Sequence, residues 1–165
     1  MNSPDQIVVD FAVSGDAPGL HALIKELAVF ENAGDQVILT TEELHADVFG
    51  ANPKCKVYAA KIEGEIVGMA LFYGKYSTWT GSCVYLEDLI VSEKWRGKGI
   101  GTSLFLEVAK YAAQTNAGRL EWQVLDWNES GIAFYNKLEA VLDDSWVNCK
   151  LTREQLSQLM RKNGL

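Results

Sequence analysis

The stretch CVYLEDLIVSEKWRGKGIGTSLFLEVAKYAAQTN, from Cys83 to Asn116, decides how this chain is read. It starts as an apolar, β-forming run, breaks at Ser92 to Trp95, and passes through Arg96-Gly97-Lys98-Gly99-Ile100-Gly101. Beyond the glycines, Ile100, Leu104, Val108 and Tyr111 fall at helical spacing. This predicts a strand, a glycine loop and a helix. Three glycines within five residues keep side-chain bulk away from a helix start, so several N–H groups can converge on one anion. The spacing excludes both the mononucleotide P-loop and the G-x-G-x-x-G dinucleotide fingerprint. What remains is R-x-x-G-x-G, Arg96 to Gly101, which by itself reads either as a phosphate loop or as an ordinary glycine-rich turn.

Upstream, Ile7 to Val13 reads as a first strand, and Asp16-Ala17-Pro18 opens a helix with Leu20, Leu23, Ile24 and Leu27 in one stripe. Phe30 and Glu31 end that helix; from spacing alone Glu31 is a solvated helix-end carboxylate. Thr40 and Glu43 have capping-box spacing before a short helix through Leu44 to Phe49. Lys56 to Ile62 and Ile66 to Tyr76 form a hairpin around Glu63-Gly64-Glu65. Downstream come a strand from Leu120 to Leu125, a helix carrying Ile132, Phe134, Tyr135 and Leu138, and a last strand near Trp146 to Leu151. Thr152 and Gln155 then cap a C-terminal helix to Lys162. The order β-α-α-β-β-β-α-β-α-β-α describes one mixed α/β domain over residues 1–165.

With 165 residues, 48% of them apolar, the chain can bury its own core. Its formal charge of -7 argues against nonspecific nucleic-acid binding and suits a cationic partner. The apolar runs are too short for a membrane span and the N-terminus lacks a signal-peptide pattern, so a cytoplasmic protein with no membrane partner is expected. Cys55, Cys83 and Cys149 are odd in number and unclustered, and His21 and His45 lie far apart. Neither a disulfide framework nor a metal site is expected, and the thiols are expected to be buried.

R-x-x-G-x-G after the fourth strand, with Trp127-Asn128 and then Phe134-Tyr135 at the next strand-to-helix junction, resembles the GNAT superfamily of N-acetyltransferases over essentially the whole chain. Ile24 to Ala28, Gln36 to Thr40, Phe49-Gly50, Tyr85-Leu86-Glu87-Asp88 and Asp126-Trp127-Asn128 resemble the spermidine/spermine (diamine) acetyltransferases. Tyr76-Ser77-Thr78-Trp79 and Val124 to Asn128 look closer to the thialysine acetyltransferase branch. The resemblance implies a single-domain α/β (α+β) fold with a mixed, mostly antiparallel twisted sheet flanked by helices. Its fourth and fifth strands splay apart to admit acetyl-CoA. The backbone of Leu89, Ile90 and Val91 would meet the pantetheine arm. Arg96, Gly97, Lys98, Gly99, Ile100, Gly101 and Thr102 would hold the pyrophosphate, and Asn128 and Ser130 would close the far side. A homodimer acting on a small-molecule amine, without nucleic acid or metal, is also implied.

Amide formation from a thioester requires the amine to lose a proton and the thiolate to gain one. By resemblance Tyr135 lies near the coenzyme sulfur and is the general acid; without it, Tyr135 reads as a core aromatic beside Phe134. Glu87 is the base, acting through water, and strand alternation is expected to put Glu87 and Asp88 on opposite faces. Phe30, Glu31, Asp88 and Asp144 are the expected contacts for a cationic substrate, with Trp79 as an aromatic wall. Glu139 stands where the family usually has glycine after the tyrosine, which predicts a different turn. Ser77 replaces an acidic residue and removes a cation contact. Two other readings stay open: a peptide or protein N-acetyltransferase, and a noncatalytic acetyl-CoA sensor.

Overall fold

The computed structural model describes residues 7–164. Among these, strands β1 (Val8–Phe11), β2 (Lys56–Ile62), β3 (Glu65–Ser77), β4 (Gly81–Val91) and β5 (Leu120–Glu121) form one sheet in chain order. The first four are antiparallel, and β5 lies parallel to β4. The helices are α1 (Ala17–Phe30), α2 (Thr41–Phe49), α3 (Ile100–Gln114), α4 (Glu129–Lys137) and α5 (Arg153–Lys162). The chain divides into two compact units, Met1–Gln123 with the whole sheet and α1 to α3, and Val124–Leu165 with α4 and α5.

In the first unit the stripe read from α1 faces the core, with Leu20 and Leu23 buried and Ile24 and Leu27 partly buried. Leu20 and Leu23 pack with Leu44 and Val48 of α2 against Val57, Ala59, Met69, Leu71 and Ile90. Thr40 closes the capping box that starts α2. On the opposite sheet face α3 buries Ile100, Leu104 and Val108. It comes so close that a Cβ on Gly68 would lie 3.1 Å from Leu104 and 3.4 Å from Ile100. That approach seats the glycine loop against the end of β4. Pairing between β4 and β5 stops at Val84–Leu120 and Tyr85–Glu121, whereas β4 continues to Val91. The two strands therefore part as expected. Among the described residues no helix is long and apolar enough to cross a membrane, and no three His, Cys, Asp or Glu side chains cluster as metal ligands.

Several local expectations need correction. The fifth strand is two residues long, not six. Residues 141–150 are exposed throughout and have no strand structure, so the last strand expected near Trp146 to Leu151 does not form. A strand needs a partner for its backbone, and among the described residues β5 pairs with β4 alone. Cys83 is buried, Cys55 is intermediate and Cys149 is exposed, so only one thiol follows the expectation of burial.

The turn after Tyr135 does not differ in the way Glu139 suggests. Glu139 adopts φ 59°, the left-handed conformation that glycine favours. Ala140 N–H donates to the Tyr135 carbonyl and Glu139 N–H to that of Asn136, the two bonds of a Schellman cap. Glutamate therefore holds a glycine conformation under strain. Glu139→Gly is expected to raise stability by about 0.5–1 kcal/mol, read as a higher thermal midpoint; a lower midpoint would show that the side chain is needed there.

Candidate active site

The register between β3 and β4 changes at one residue. Tyr73 pairs with Tyr85 and Phe72 with Leu86, yet Leu71 pairs with Asp88, which leaves Glu87 as an extra residue in β4. This is a β-bulge. Tyr85 shares a face with Tyr73 and Leu71, and Glu87, two residues further on, shares it too. Past the bulge the phase shifts by one, so Asp88 joins the same face. The expectation of one carboxylate on each face is thus overturned. Both lie on the side where α1 packs, just beyond the point at which that helix ends.

The Tyr73 hydroxyl donates to Glu87 Oε2 at 2.8 Å. Burial first, and then the bond to Glu87, hold the Tyr73 phenol protonated well above its ordinary range. Burial pushes the Asp88 carboxyl up to about 6, and the charges of Glu87 and Glu31 add to the shift. Glu31 is the exposed C-cap of α1, its own carboxyl raised by partial desolvation. Three carboxylates therefore converge where a bound cation would relieve their repulsion. Tyr73 was missed in the sequence, because a tyrosine in a β-run carries no signal apart from its partner.

Beside this cluster runs the open edge of β4. Ser92 N–H donates across to the Val67 carbonyl, so alternation turns the backbone of Ile90 toward β3 and that of Leu89 and Val91 outward. The Val91 carbonyl accepts from Arg96 Nε at 2.9 Å, and the Arg96 guanidinium lies 5.4 Å from the Phe30 ring centre. Phe30 thus supports the loop arginine. Gly97 (φ 76°) and Gly99 (φ 79°) are both left-handed, and a Cβ at either would meet nothing within 4 Å. At Gly101 a Cβ would make only ordinary contact with Val91, at 3.7 Å. Ser103 N–H makes the first helical bond, to Gly99, so the N–H groups of Ile100, Gly101 and Thr102 precede the ladder. With no acidic residue in that turn, the loop fits a pyrophosphate. Lys98 Nζ sits 4.3 Å from the Trp95 ring centre, adding positive charge beside it.

Trp79 does not join the acidic cluster. Trp79 is 81% exposed in the β3–β4 turn, at the opposite end of β4 from Asp88. Ser77 builds that turn, its Oγ accepting from the N–H groups of Trp79 (3.1 Å) and Thr80 (3.3 Å). In the second unit, Asn128 caps α4. Its Oδ1 accepts from Gly131 N–H at 2.9 Å and from Ser130 Oγ at 3.1 Å. Tyr135 is the buried residue of that helix, and burial raises its phenol to about 12. Asp144 lies in the exposed 141–150 segment.

Residues 21–139 match the acetyltransferase (GNAT) family. The chain is 35% identical to a thialysine N-epsilon-acetyltransferase of Sus scrofa over 167 aligned positions, covering 94% of this chain and 98% of that protein. It is 32% identical to a spermidine/spermine N(1)-acetyltransferase-like protein of Homo sapiens, over 93% of this chain and 24% of the longer relative. Among solved structures, an integron cassette protein from the mobile metagenome of V. cholerae superposes with a TM-score of 0.77 at 23% identity. That match covers 94% of this chain and 98% of the other.

The raised Asp88 carboxyl has a consequence for stability. Its unfolded value lies near ~3.9, so between about pH 4 and pH 6 the folded chain binds the extra proton and stability falls as pH rises. Above pH 6 the full penalty is present, on the order of 2–3 kcal/mol. Asp88→Asn should therefore raise the thermal midpoint at pH 7.5, and the advantage should vanish as pH falls through 6 to 4. A difference independent of pH would show that the Asp88 charge is not its cause.

Proposed function

The chain belongs to the acetyltransferase (GNAT) family, and from that premise we propose that it moves an acetyl group from acetyl-CoA to the primary amine of a small cationic acceptor, a thialysine-like amino acid or a polyamine. The observation that carries this reading is the bulge at Glu87, which puts two carboxylates on one face beside an open strand edge and a glycine loop. Such an arrangement attracts a cation to the stretch of β4 that β5 does not cover. Acetyl-CoA supplies a thioester whose acyl carbon is open to direct attack by an amine.

Arg96 through Thr102 would hold the pyrophosphate by backbone N–H groups and positive charge, and the outward backbone of Leu89 and Val91 would meet the amides of the pantetheine arm. Glu31 and Asp88 bind and orient the acceptor cation. Glu87, fixed by the Tyr73 hydroxyl, takes the ammonium proton through water. Tyr135 remains protonated at neutral pH, as its raised value requires, and donates its proton to the departing sulfur. Alignment of the reactants makes a covalent enzyme intermediate unnecessary. The proposal takes residues 1–165 as one cytoplasmic acetyltransferase domain that pairs as a homodimer.

The direct test is coenzyme A release from acetyl-CoA with thialysine, lysine, putrescine, spermidine, spermine and a short Lys-containing peptide. Turnover of thialysine or a polyamine supports the reading, and turnover of the peptide alone overturns it. Tyr135→Phe should lower kcat by roughly 10²–10⁴-fold with little change in acetyl-CoA affinity; an unchanged kcat would remove Tyr135 as the acid. Gly101→Ala should leave the thermal midpoint unchanged or slightly higher, because alanine favours a helix, while weakening coenzyme A binding roughly tenfold in calorimetric titration. Unchanged binding would move the pyrophosphate away from this loop.

A further inference from the structure

The sheet face that carries Glu87 and Asp88 is not uniformly acidic. From Tyr73, paired with Tyr85, the next residue of β3 on this face is Lys75, in the direction away from the bulge. Its neighbour across β4 is Glu121 of β5, which pairs with Tyr85. Lys75 Nζ lies 3.1 Å from Glu121 Oε2 and 5.1 Å from the Tyr85 ring centre, and Arg119 Nε lies 2.8 Å from Glu121 Oε1. One carboxylate thus serves two cations, leaving this end of the face with an excess positive charge in a chain whose net charge is -7. The Lys75 side chain is 44% exposed and so within reach of a ligand.

We propose that Lys75, backed by Arg119, is the carboxylate-recognising residue of the acceptor site and selects an ω-amino amino acid over a polyamine. This rests on the amine-acetyltransferase reading above and names the acceptor class for the same site. Along β4 the face reads as negative at Glu87 and Asp88, aromatic at Tyr73 and Tyr85, and positive at Lys75. An ω-amino amino acid has the matching sequence of charges. Its terminal ammonium meets the carboxylates, its α-ammonium lies over the tyrosine rings, and its carboxylate pairs with Lys75. A polyamine in the same orientation would set a second ammonium against the Lys75 ammonium. That repulsion makes Lys75 a device of exclusion as well as attraction.

Pairs of acceptors that differ only by the carboxylate test this directly: lysine against cadaverine, ornithine against putrescine, and thialysine against its decarboxylated analogue. The wild-type protein should show a higher kcat/KM for the carboxylate-bearing member. Lys75→Met should remove roughly tenfold of that preference, the scale of one charge-assisted hydrogen bond, through KM with kcat nearly unchanged. Lys75→Arg should keep the preference and Lys75→Glu should reverse it. Equal preference ratios in wild type and Lys75→Met, with both members turned over, would overturn the role of Lys75 and leave the amine-acetyltransferase reading intact. If the wild-type protein acetylates no member of any pair, both readings fall.

Discussion

Glu87 has no backbone pairing partner on β3, and because strand side chains alternate with a period of two, this one residue shifts everything after it by a step. In an unbroken ladder the phase of Tyr85 would carry Asp88 to the face of Phe72 and Leu86, which α3 covers with buried side chains. An unpaired carboxylate there would be strongly unfavourable. The bulge avoids that outcome and at the same time returns Ile90 to the α1 side, where it packs with Met69, Leu20 and Leu23. The same irregularity therefore completes the core and assembles the acidic cluster. Core and site cannot be altered independently at this position.

A second constraint is the short pairing of β5. Among the described residues the pairing of β5 with β4 ends at Tyr85, an arrangement that leaves room for solvent or a ligand beside the outward backbone further along β4. Arg96 occupies one such acceptor, the carbonyl of Val91, and its other face rests on Phe30 at the end of α1. Through this contact the loop, the strand end and the helix end hold one another. The close approach of α3 at Gly68 fixes the other side of the loop. Geometry for an anion is thus built from backbone, with few side chains committed to it.

Most of the architecture could be read from residues: the stripes of α1 and α3, the capping boxes at Thr40 and Thr152, and the strand, glycine loop and helix after Cys83 all stand where spacing put them. What could not be read depends on partners. Nothing in Tyr85-Leu86-Glu87-Asp88 marks a bulge, since the extra residue is defined only by its pairing with β3. Tyr73 and Lys75 acquire meaning from Glu87 and Glu121, which lie on other strands. The β-forming residues after Glu121, and those from Trp146 to Leu151, look like strand because composition does not say whether a neighbour exists. At Glu139 the family habit of glycine pointed to a changed turn, whereas hydrogen bonding kept the turn and left the strain on the side chain.

The acidic cluster works against the fold that holds it. Asp88 is raised to about 6 first by burial and then by its neighbours Glu87 and Glu31, so at neutral pH the cluster carries unfavourable free energy. A bound ammonium cancels part of that repulsion, and whatever it cancels adds to its own binding free energy. The Tyr73 hydroxyl partly offsets the charge of Glu87 but cannot supply a positive one. Lys75 could, yet it is held two residues further along β3, against Glu121, where it cannot collapse onto the carboxylates. The separation of Lys75 from Glu87 by the tyrosine pair is therefore what keeps the carboxylates charged and open to a cation. Selectivity on this face follows from that spacing, because a ligand gains only if its own charges alternate in the same order.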